Sequence, residues 1–460
     1  MDDETQYDIS MQESSFNPIS PAVKRKRNLS LAVITSVISK IANTAVQVLA
    51  MPIALHVLGV ARFGVYTSLA AAIGWLGLSS IGIGPGLTRK IAEAAAKEDY
   101  ELEKRLVSSS FFFMLSIILP IVCLSYIFVW LGDPLLIFGQ KYLPYLHEIR
   151  LGLSGLLFFF FLRMLLTIGE ASQMGYQEQY VINSFGAAGN FLCLFSLLFI
   201  TRYFPTILGI IIAVYGITTF ARLCNFLVLI FKTRPYLIPT LKLYNKSLLK
   251  GVIGTGIAYS LVQLSLILSY DLNIIVAGRI IGPSASARLG VLIQAVTLGM
   301  GMVAMITQPL WPALADAATR KEKKWIANAY HKAMKTIMLY AIAVGLIIGL
   351  GGKYLVLFWY GPKVVPSFWL HFFIGIDFLL EVWFHLHFIF LMGLGNIKKV
   401  SILIFTKSVV TLPVSVICIT YFGLPGAAFS LVITMLLIVT FTVYHEFKLE
   451  LNKLELKTIE

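Results

Sequence analysis

Ionisable side chains inside apolar stretches are the residues of this sequence most able to do chemistry. A charge near the middle of a bilayer costs about 3 kcal/mol on insertion scales, so a helix that only fills lipid rarely carries one. Such groups usually face a water-filled cavity and handle something polar or ionic, which predicts a transporter. The eight groups of this kind are Lys40, Arg163, Glu170, Arg222, Asp271, Asp377, Glu381 and Lys407.

The first apolar stretch carries one polar stripe. Lys40, Asn43 and Gln47 are spaced i, i+3, i+7, so they share one face of a helix. An otherwise apolar helix is expected to turn such a stripe toward a cavity. The alternative is that Lys40 only neutralises a neighbouring carboxylate.

Two further stretches place polar groups on common faces. Arg163 and Glu170 are seven residues apart, and Gln263 lies two helical turns before Asp271. These pairs predict further cavity lining. For Asp271 the alternative is a salt bridge at the outer membrane interface, near Arg279.

A carboxylate pair marks the most acidic stretch. Asp377 and Glu381 are one helical turn apart, and His385 extends the stripe by another turn. Two carboxylates at this spacing repel each other, so in a low-dielectric site one of them would take up a proton or share a cation. This predicts a proton or cation site. Pairing with Lys407 or Arg222 from another helix is the alternative.

The composition defines the elements that carry these residues. The chain is 58% hydrophobic and 13% charged, whereas soluble domains are about 25% charged. Apolar runs long enough to cross a hydrocarbon core of about 30 Å recur along it and predict an all-α polytopic membrane protein with about twelve transmembrane helices. The predicted spans are 29–57, 64–88, 106–131, 150–172, 181–201, 205–231, 249–278, 285–312, 331–351, 367–392, 400–421 and 424–445.

The distribution of lysine and arginine predicts the orientation. With a cytoplasmic N-terminus, the inner segments hold 25 of these residues and the outer segments hold 7. This asymmetry satisfies the positive-inside rule and places both termini in the cytoplasm. The formal net charge of +14 therefore needs no nucleic-acid partner. The predicted parts are an N-terminal tail (1–28), a six-helix bundle (29–231), a linker (232–248), a second six-helix bundle (249–445) and a C-terminal tail (446–460).

An internal repeat supports two related bundles. Residues 58–65 resemble residues 281–291, and residues 91–95 resemble residues 314–318. Each site follows an odd-numbered helix of its half, so the two halves share one orientation. We therefore expect two six-helix bundles related by a pseudo-two-fold axis along the membrane normal, which can rock about a central cleft.

Enzyme signatures are lacking in the sequence. There is no Walker A loop, no GxSxG and no HExxH motif. We predict no catalytic residue, no metal site and no cofactor.

Several local patterns carry a resemblance to a known family. They are LGVARFGVY at 58–66, GIGPGLTR at 82–89, DLNIIVAG at 271–278 leading into IGP at 281–283, and PLWPA at 309–313. With twelve spans in two halves, the chain resembles the Wzx-type polysaccharide flippases, which are lipid-linked oligosaccharide transporters of the multidrug/oligosaccharidyl-lipid/polysaccharide (MOP) exporter superfamily.

The resemblance implies movement of an undecaprenyl-diphosphate-linked oligosaccharide to the outer leaflet of a bacterial cytoplasmic membrane. In such proteins a cationic cavity holds the diphosphate and sugar, an ion gradient (H⁺ or Na⁺) drives the cycle, and polysaccharide polymerase machinery is a possible partner. From membrane depth, we expect three sets of residues. The cationic cavity would use Lys40, Arg163, Arg222 and Lys407, its polar lining Asn43, Gln47 and Gln263, and ion coupling Glu170, Asp271, Asp377 and Glu381.

Two other functions remain open. A cation-coupled multidrug or metabolite antiporter of the same superfamily should have a cavity dominated by carboxylates, whereas four cations favour an anionic substrate. A polytopic enzyme of polysaccharide assembly typically carries a large outer loop, and no connection between the predicted spans exceeds roughly twenty residues.

Overall fold

The structure is a computed structural model of the full chain. The residues that it describes are 21–74, 83–253, 264–265, 267–307, 310–320, 322–394 and 397–456.

The N-terminal half contains six long helices and short connecting turns. The chain leaves α3 through a short helix at Leu135–Phe138 and a 3₁₀ turn at Gln140–Tyr145. The helices are α1 Pro21–Gly74, α2 Ile83–Ala95, α3 Tyr100–Leu131, α4 Leu146–Gly175, α5 Gln179–Tyr203 and α6 Ile207–Thr233.

The C-terminal half has a similar layout, and among the described residues each half contains two π-helical segments, those of the N-terminal half lying within α6 at Ile212–Gly216 and Leu229–Thr233. A π-helical turn at Ile267–Asp271 precedes α8, and another at Met435–Thr440 joins α15 to α16. The helices are α7 Lys246–Ile253, α8 Leu272–Ile281, α9 Pro283–Thr307, α10 Leu310–Thr319, α11 Lys323–Gly349, α12 Gly352–Tyr360, α13 Phe368–Gly393, α14 Ile397–Phe422, α15 Pro425–Thr434 and α16 Phe441–Leu456.

The predicted fold class is confirmed. The chain forms two lobes of six helices, and the described residues contain no strand. Ten helices in this described part are long and apolar enough to span a membrane. The segment Ser30–Gly74 holds nearly all of the first predicted span and the first part of the second, 64–88, whose last residues lie in α2. Residues 75–82 of the second span and part of the seventh, 249–278, lie outside the described residues. The pseudo-two-fold axis and the exact lobe boundaries stay predictions.

Matching turns occur at the repeated sequence. Gly59 interrupts α1 with φ 71° and ψ 170°, and Gly282 separates α8 from α9 with φ 129° and ψ 172°. Both conformations have positive φ, which glycine adopts without the steric cost that a Cβ brings. The two halves therefore change direction in the same way at the positions that the repeat pairs.

The lobes meet tightly beside these turns. A Cβ on Gly64 would lie 1.8 Å from the Pro283 carbonyl oxygen, so the backbones of α1 and α9 are in direct contact. The buried Tyr142 hydroxyl lies 2.8 Å from Ser68 Oγ in the N-terminal lobe and 3.0 Å from Ser286 Oγ in the C-terminal lobe. We call this contact the lobe seam.

Cationic side chains add to the lobe seam. Lys141 Nζ donates to the carbonyl oxygen of Ile280 at 2.7 Å, and Arg279 donates to the carbonyl oxygens of Leu136 and Ile137. These carbonyls lie at helix ends, where they have no partner within the helix. The seam is therefore closed by packing and by hydrogen bonds at the end predicted to face outward.

The connection between the lobes is bound to the N-terminal lobe. Glu103, which is buried, accepts hydrogen bonds from Tyr176 at 2.6 Å and from Tyr236 at 2.8 Å. Arg234 pairs with both oxygens of Glu178, at 2.9 and 2.8 Å. Burial and the Glu103 carboxylate raise the pKa of Tyr236 to about 12, so its hydroxyl stays protonated and continues to donate.

Candidate functional site

A cavity of about 470 Å³ lies within the N-terminal lobe, among α1, α4, α5 and α6. This volume is in the range of small-molecule sites. Its charged lining residues are Lys40, Arg163, Glu170 and Arg222. Its uncharged polar lining residues are Ser39, Asn43, Gln47, Asn183, Asn190, Tyr215, Thr218 and Asn225.

Helical spacing explains how α1 and α5 build this wall. Lys40, Asn43 and Gln47 all line the cavity, which is where the stripe on α1 was expected to point. On α5, Asn183 and Asn190 are seven residues apart and face the same space. The polar faces of two neighbouring helices are thus turned toward each other.

The charges of the cavity do not balance. Arg222 Nη1 lies 3.1 Å from Glu170 Oε2, which pairs the single carboxylate. Neither the Arg163 nor the Lys40 side chain has an ion pair or hydrogen bond with another residue that the structure describes. Three cations and one carboxylate leave a net charge of +2 on the lining.

Carboxamides hold part of the wall in place. Gln173 and Asn225 exchange two hydrogen bonds, each of 2.8 Å, beneath the cavity. Asn183 Nδ2 donates to the carbonyl oxygen of Ala32 at 3.3 Å and so ties α5 to α1. Amide groups both donate and accept, so those with free positions can contact phosphate oxygens and sugar hydroxyls alike.

The lining is suited to a polar anion. Arginine and lysine form charge-assisted hydrogen bonds to phosphate and carboxylate oxygens, and these are about twice as strong as neutral ones. The unpaired Arg163 and Lys40 offer such donors within a membrane-spanning lobe.

A second group of charges is sealed inside the C-terminal lobe. Asp377 and Lys407 are fully buried, and Glu381 is 6% exposed. Lys407 Nζ lies 3.3 Å from Glu381 Oε1, and Tyr270 donates to Asp377 Oδ2 at 2.8 Å. The other oxygen of Asp377 is buried and has no partner among the described residues. We call these four residues the acidic cluster.

His385 lies beyond the acidic cluster on α13. Its Nε2 atom is 2.9 Å from the hydroxyl of Thr307 on α9. The stripe of Asp377, Glu381 and His385 therefore points into the packed interior of the lobe and toward α9 and α14.

The structure separates the eight charged residues into different places. Lys40, Arg163, Glu170 and Arg222 come together in the N-terminal cavity. Lys407 was grouped with these cations in the sequence analysis, but it lies in the other lobe and pairs with Glu381. The reason is tertiary: α14, which carries Lys407, packs against other helices of the C-terminal lobe.

Asp271 and Gln263 occupy other positions. Asp271 lies at the contact between the lobes, where its Oδ2 would be 2.4 Å from a Cβ on Gly74. Arg279 does not pair with it and donates instead to carbonyl groups at the lobe seam. Gln263 lies outside the described residues.

Sequence reasoning missed several uncharged lining residues. A signal for them was present, because Asn183, Gly186 and Asn190 have the same i, i+3, i+7 spacing as the stripe on α1. Thr218, Arg222 and Asn225 are likewise spaced to share one face of α6. A search for polar stripes, rather than for charges alone, would have found both.

Comparisons with known proteins identify the fold. No protein-family model matches the sequence, and no curated protein matches it. Among solved structures, the chain is similar to the inward-facing form of a multidrug resistance MATE family transporter of the MOP superfamily, with a TM-score of 0.74 and 16% identity over 91% of this chain and 99% of that one.

Two further structures extend this comparison. An outward-facing form of a multidrug resistance MATE family transporter gives a TM-score of 0.64 with 18% identity over 94% of this chain and 96% of that one. A MOP superfamily transporter from Pyrococcus furiosus, described by the reverse polarity of its binding pocket, also matches. Its TM-score is 0.64, with 18% identity over 94% of this chain and 97% of that one. The fold of this chain is thus the fold of MATE family transporters.

Proposed function

We propose that this protein is a transporter that moves the head group of an anionic, lipid-linked oligosaccharide across a membrane by alternating access. The observation that carries the proposal is the cationic, carboxamide-lined cavity of the N-terminal lobe, in which Arg163 and Lys40 have no described partner. A diphosphate would pair with these cations, and the amides would contact sugar hydroxyls.

The physical need for such a cavity is clear. A sugar-diphosphate cannot cross hydrocarbon unaided, because each buried polar group without a hydrogen bond costs several kcal/mol. A polar cavity supplies replacement partners along the way. The lipid tail stays in the bilayer while the head group crosses.

Alternating access is supported by the lobe seam and by the fold. The seam ties the lobes together at the predicted outer end through Tyr142, Lys141 and Arg279. Proteins of this fold are known in both inward-facing and outward-facing forms, and this chain is more similar to the inward-facing one. Breaking the seam would allow the lobes to open toward the other side.

The acidic cluster is the proposed coupling site. With both carboxylates charged, Asp377, Glu381 and Lys407 sum to a net charge of −1 in a buried position. An unbalanced buried charge is costly, so binding of a proton or a sodium ion would stabilise the cluster. Glu170 and Asp271 lie nearer the cavity and the lobe contact and are the second choice for this role.

The polarity of the cavity argues for the substrate class. The Pyrococcus furiosus transporter is described as having a pocket of reverse polarity that suggests a different function. Pocket polarity therefore differs among proteins of this fold, and the lining of this chain, with a net charge of +2, favours an anion.

A second candidate is a cation-coupled multidrug or metabolite antiporter. Two of the similar structures are multidrug resistance transporters, and the acidic cluster supplies carboxylates for an organic cation or its coupling ion. Against this candidate stands the positive cavity. A polytopic enzyme of polysaccharide assembly is not favoured by any described residue.

The proposed setting follows from the sequence. The charge bias supports cytoplasmic termini, and the resemblance supports a bacterial cytoplasmic membrane as the proposed location, with polysaccharide polymerase machinery as a proposed partner. The bilayer, the lipid-linked oligosaccharide and H⁺ or Na⁺ are the proposed partners.

Reconstituted liposomes test this function. Purified protein would be supplied with a labelled undecaprenyl-diphosphate oligosaccharide, and its accessibility to an external enzyme would be followed with and without a proton or sodium gradient. We expect gradient-dependent movement that falls at least tenfold in Arg163→Gln, because each charge-assisted hydrogen bond contributes about 1.5–3 kcal/mol.

The matched control is Arg105→Gln, which changes an exposed arginine outside the cavity. Normal movement in Arg163→Gln would remove the proposed role of the cavity. Efflux of an organic cation without lipid movement would assign the protein to the antiporter class.

A further inference from the structure

A second cavity, of about 590 Å³, lies between the lobes. It is formed by the middle of α1, the end of α5 and the end of α12. The residues that matter for its chemistry are Pro52, His56, Leu198, Arg202, Trp359 and Tyr360.

The two cavities share two of their walls. On α1, Gln47 lines the first cavity and Pro52 lines the second, a separation of about 7.5 Å at a rise of 1.5 Å per residue. On α5, Asn190 lines the first and Leu198 lines the second, about 12 Å apart. The second cavity therefore continues the first along the same helix pair, toward the predicted outer face.

A single hydrogen bond marks the boundary between the two cavities. Pro52 has no N–H, so it cannot bond the carbonyl group of Val48 four residues earlier. Trp359 Nε1, from the other lobe, donates to this Val48 carbonyl at 2.7 Å. The indole lines the second cavity, bonds α1 at a residue between the lining residues of the two cavities, and belongs to the lobe that would move.

The second cavity offers partners for an amphiphile with a phosphate head. Arg202 is exposed and has no ion pair with any described residue, and His56 adds a further nitrogen donor. Tyr360 is 8% exposed, and its hydroxyl is buried with no hydrogen-bond partner in the described part of the chain. Pro52 and Leu198 provide apolar wall for a hydrocarbon chain.

An unpartnered buried hydroxyl carries an uncompensated desolvation cost, which a hydrogen bond to a ligand oxygen would offset.

We propose that the second cavity is an exit station, in which Arg202 and the Tyr360 hydroxyl bind the diphosphate of the transported prenyl lipid after it leaves the first cavity. The inference rests on the proposed function, because it assigns a second site to the same substrate. The first units of the prenyl chain lie against Pro52 and Leu198.

Calorimetric titration tests this assignment. The full chain, purified in a neutral detergent, would be titrated with farnesyl diphosphate, a short prenyl diphosphate. We expect two equivalents to bind. The double variant Arg202→Gln/Tyr360→Phe should lose at least tenfold affinity at one site only, and Arg163→Gln should lose affinity at the other.

Lys363→Gln is the matched control, because it removes an exposed cation three residues from Tyr360 and outside the cavity. It should bind both equivalents. Should the double variant fold poorly, Arg202→Gln alone carries the test, since this side chain is exposed.

Four outcomes overturn the inference. Two undiminished equivalents in the double variant would show that these residues do not bind the ligand. One equivalent in the wild-type protein, lost in Arg163→Gln, would overturn the exit station and leave the proposed function standing. Equal displacement of the second equivalent by phosphatidylglycerol would make the cavity a general lipid site. Absence of any binding would overturn the proposed function as well.

Discussion

The two lobes treat their charges in opposite ways. In the N-terminal lobe, Arg163 and Lys40 line a cavity without a described partner. In the C-terminal lobe, Lys407 and Glu381 are sealed together. Two of the helices concerned also differ in burial: 72% of the apolar stretch of α13, which carries Asp377 and Glu381, is buried, against 22% for α5, while α4 and α6, which also line the cavity, are each 44% buried.

Two lobes with similar layouts can therefore serve different tasks. Loosely packed helices leave room for a large ligand and let charges keep their hydration. A tightly packed helix forces charges to pair, and only a small ion can change their balance. We therefore interpret the first lobe as the substrate lobe and the second as the coupling lobe.

The largest effect is expected from a substitution that breaks the acidic cluster. Lys407→Met leaves Glu381 without its partner, and removing one member of a buried ion pair typically costs about 3–5 kcal/mol. Lys40→Met should change the free energy of unfolding by less than about 0.5 kcal/mol, because this side chain is exposed and unpaired. Denaturation in detergent compares the two. Equal losses would erase the contrast between the lobes.

The next effect concerns the lobe seam. Gly64→Ala places a Cβ against the Pro283 carbonyl group, and overpacking of this kind costs about 1–3 kcal/mol. The closed seam should open, which crosslinking between cysteines placed on the two lobes would measure. Gly301→Ala is the control, since no atom lies within 4 Å of its Cβ position. Unchanged crosslinking in Gly64→Ala would contradict the role of the seam.

A smaller effect is expected at the boundary of the two cavities. Trp359→Phe removes the donor to the Val48 carbonyl and should destabilise the closed state by about 1–2 kcal/mol. Spin labels on the two lobes should report a longer distance at the predicted outer face. Trp369→Phe, which changes an exposed tryptophan of the same lobe, is the comparison. Identical distances in both variants would show that the indole does not hold the lobes.

The smallest effect is expected where the linker is attached to the N-terminal lobe. Tyr236→Phe removes one of the two hydroxyl donors to Glu103. The attachment of the linker should weaken by only about 1 kcal/mol, because Tyr176 still donates to the carboxylate. Limited proteolysis within 232–248 should become faster. Tyr244→Phe, whose hydroxyl makes no described hydrogen bond, should be cleaved at the wild-type rate. Equal rates in both variants would contradict an anchored linker.

Much of the fold was predictable from the sequence because a membrane span is recognised from local properties of the chain. Length and polarity define each span, and the stripe of Lys40, Asn43 and Gln47 defined which face of α1 would turn toward a cavity. The repeat around Gly59 and Gly282 identified the two halves. These features depend on residues close together in the chain.

The partners of the charges were not predictable in the same way. Lys407 shares its sign and depth with Arg163, yet it lies in the other lobe, because only helix packing decides which residues meet. Asn183 and Asn225 carry no charge, so an analysis built on the cost of burying charge passed over them. The second cavity combines three helices that are far apart in sequence.

The anchored linker has a practical consequence. Arg234 and Tyr236 attach the connection to Glu178 and Glu103, and the backbone N–H groups of Thr240 and Asn245 donate to serine hydroxyls of α3. The first lobe thus retains its own connecting segment. Two separately encoded polypeptides, divided after Asn245, between the linker and α7, should reassemble through the complementary surfaces of the lobes when they are co-expressed.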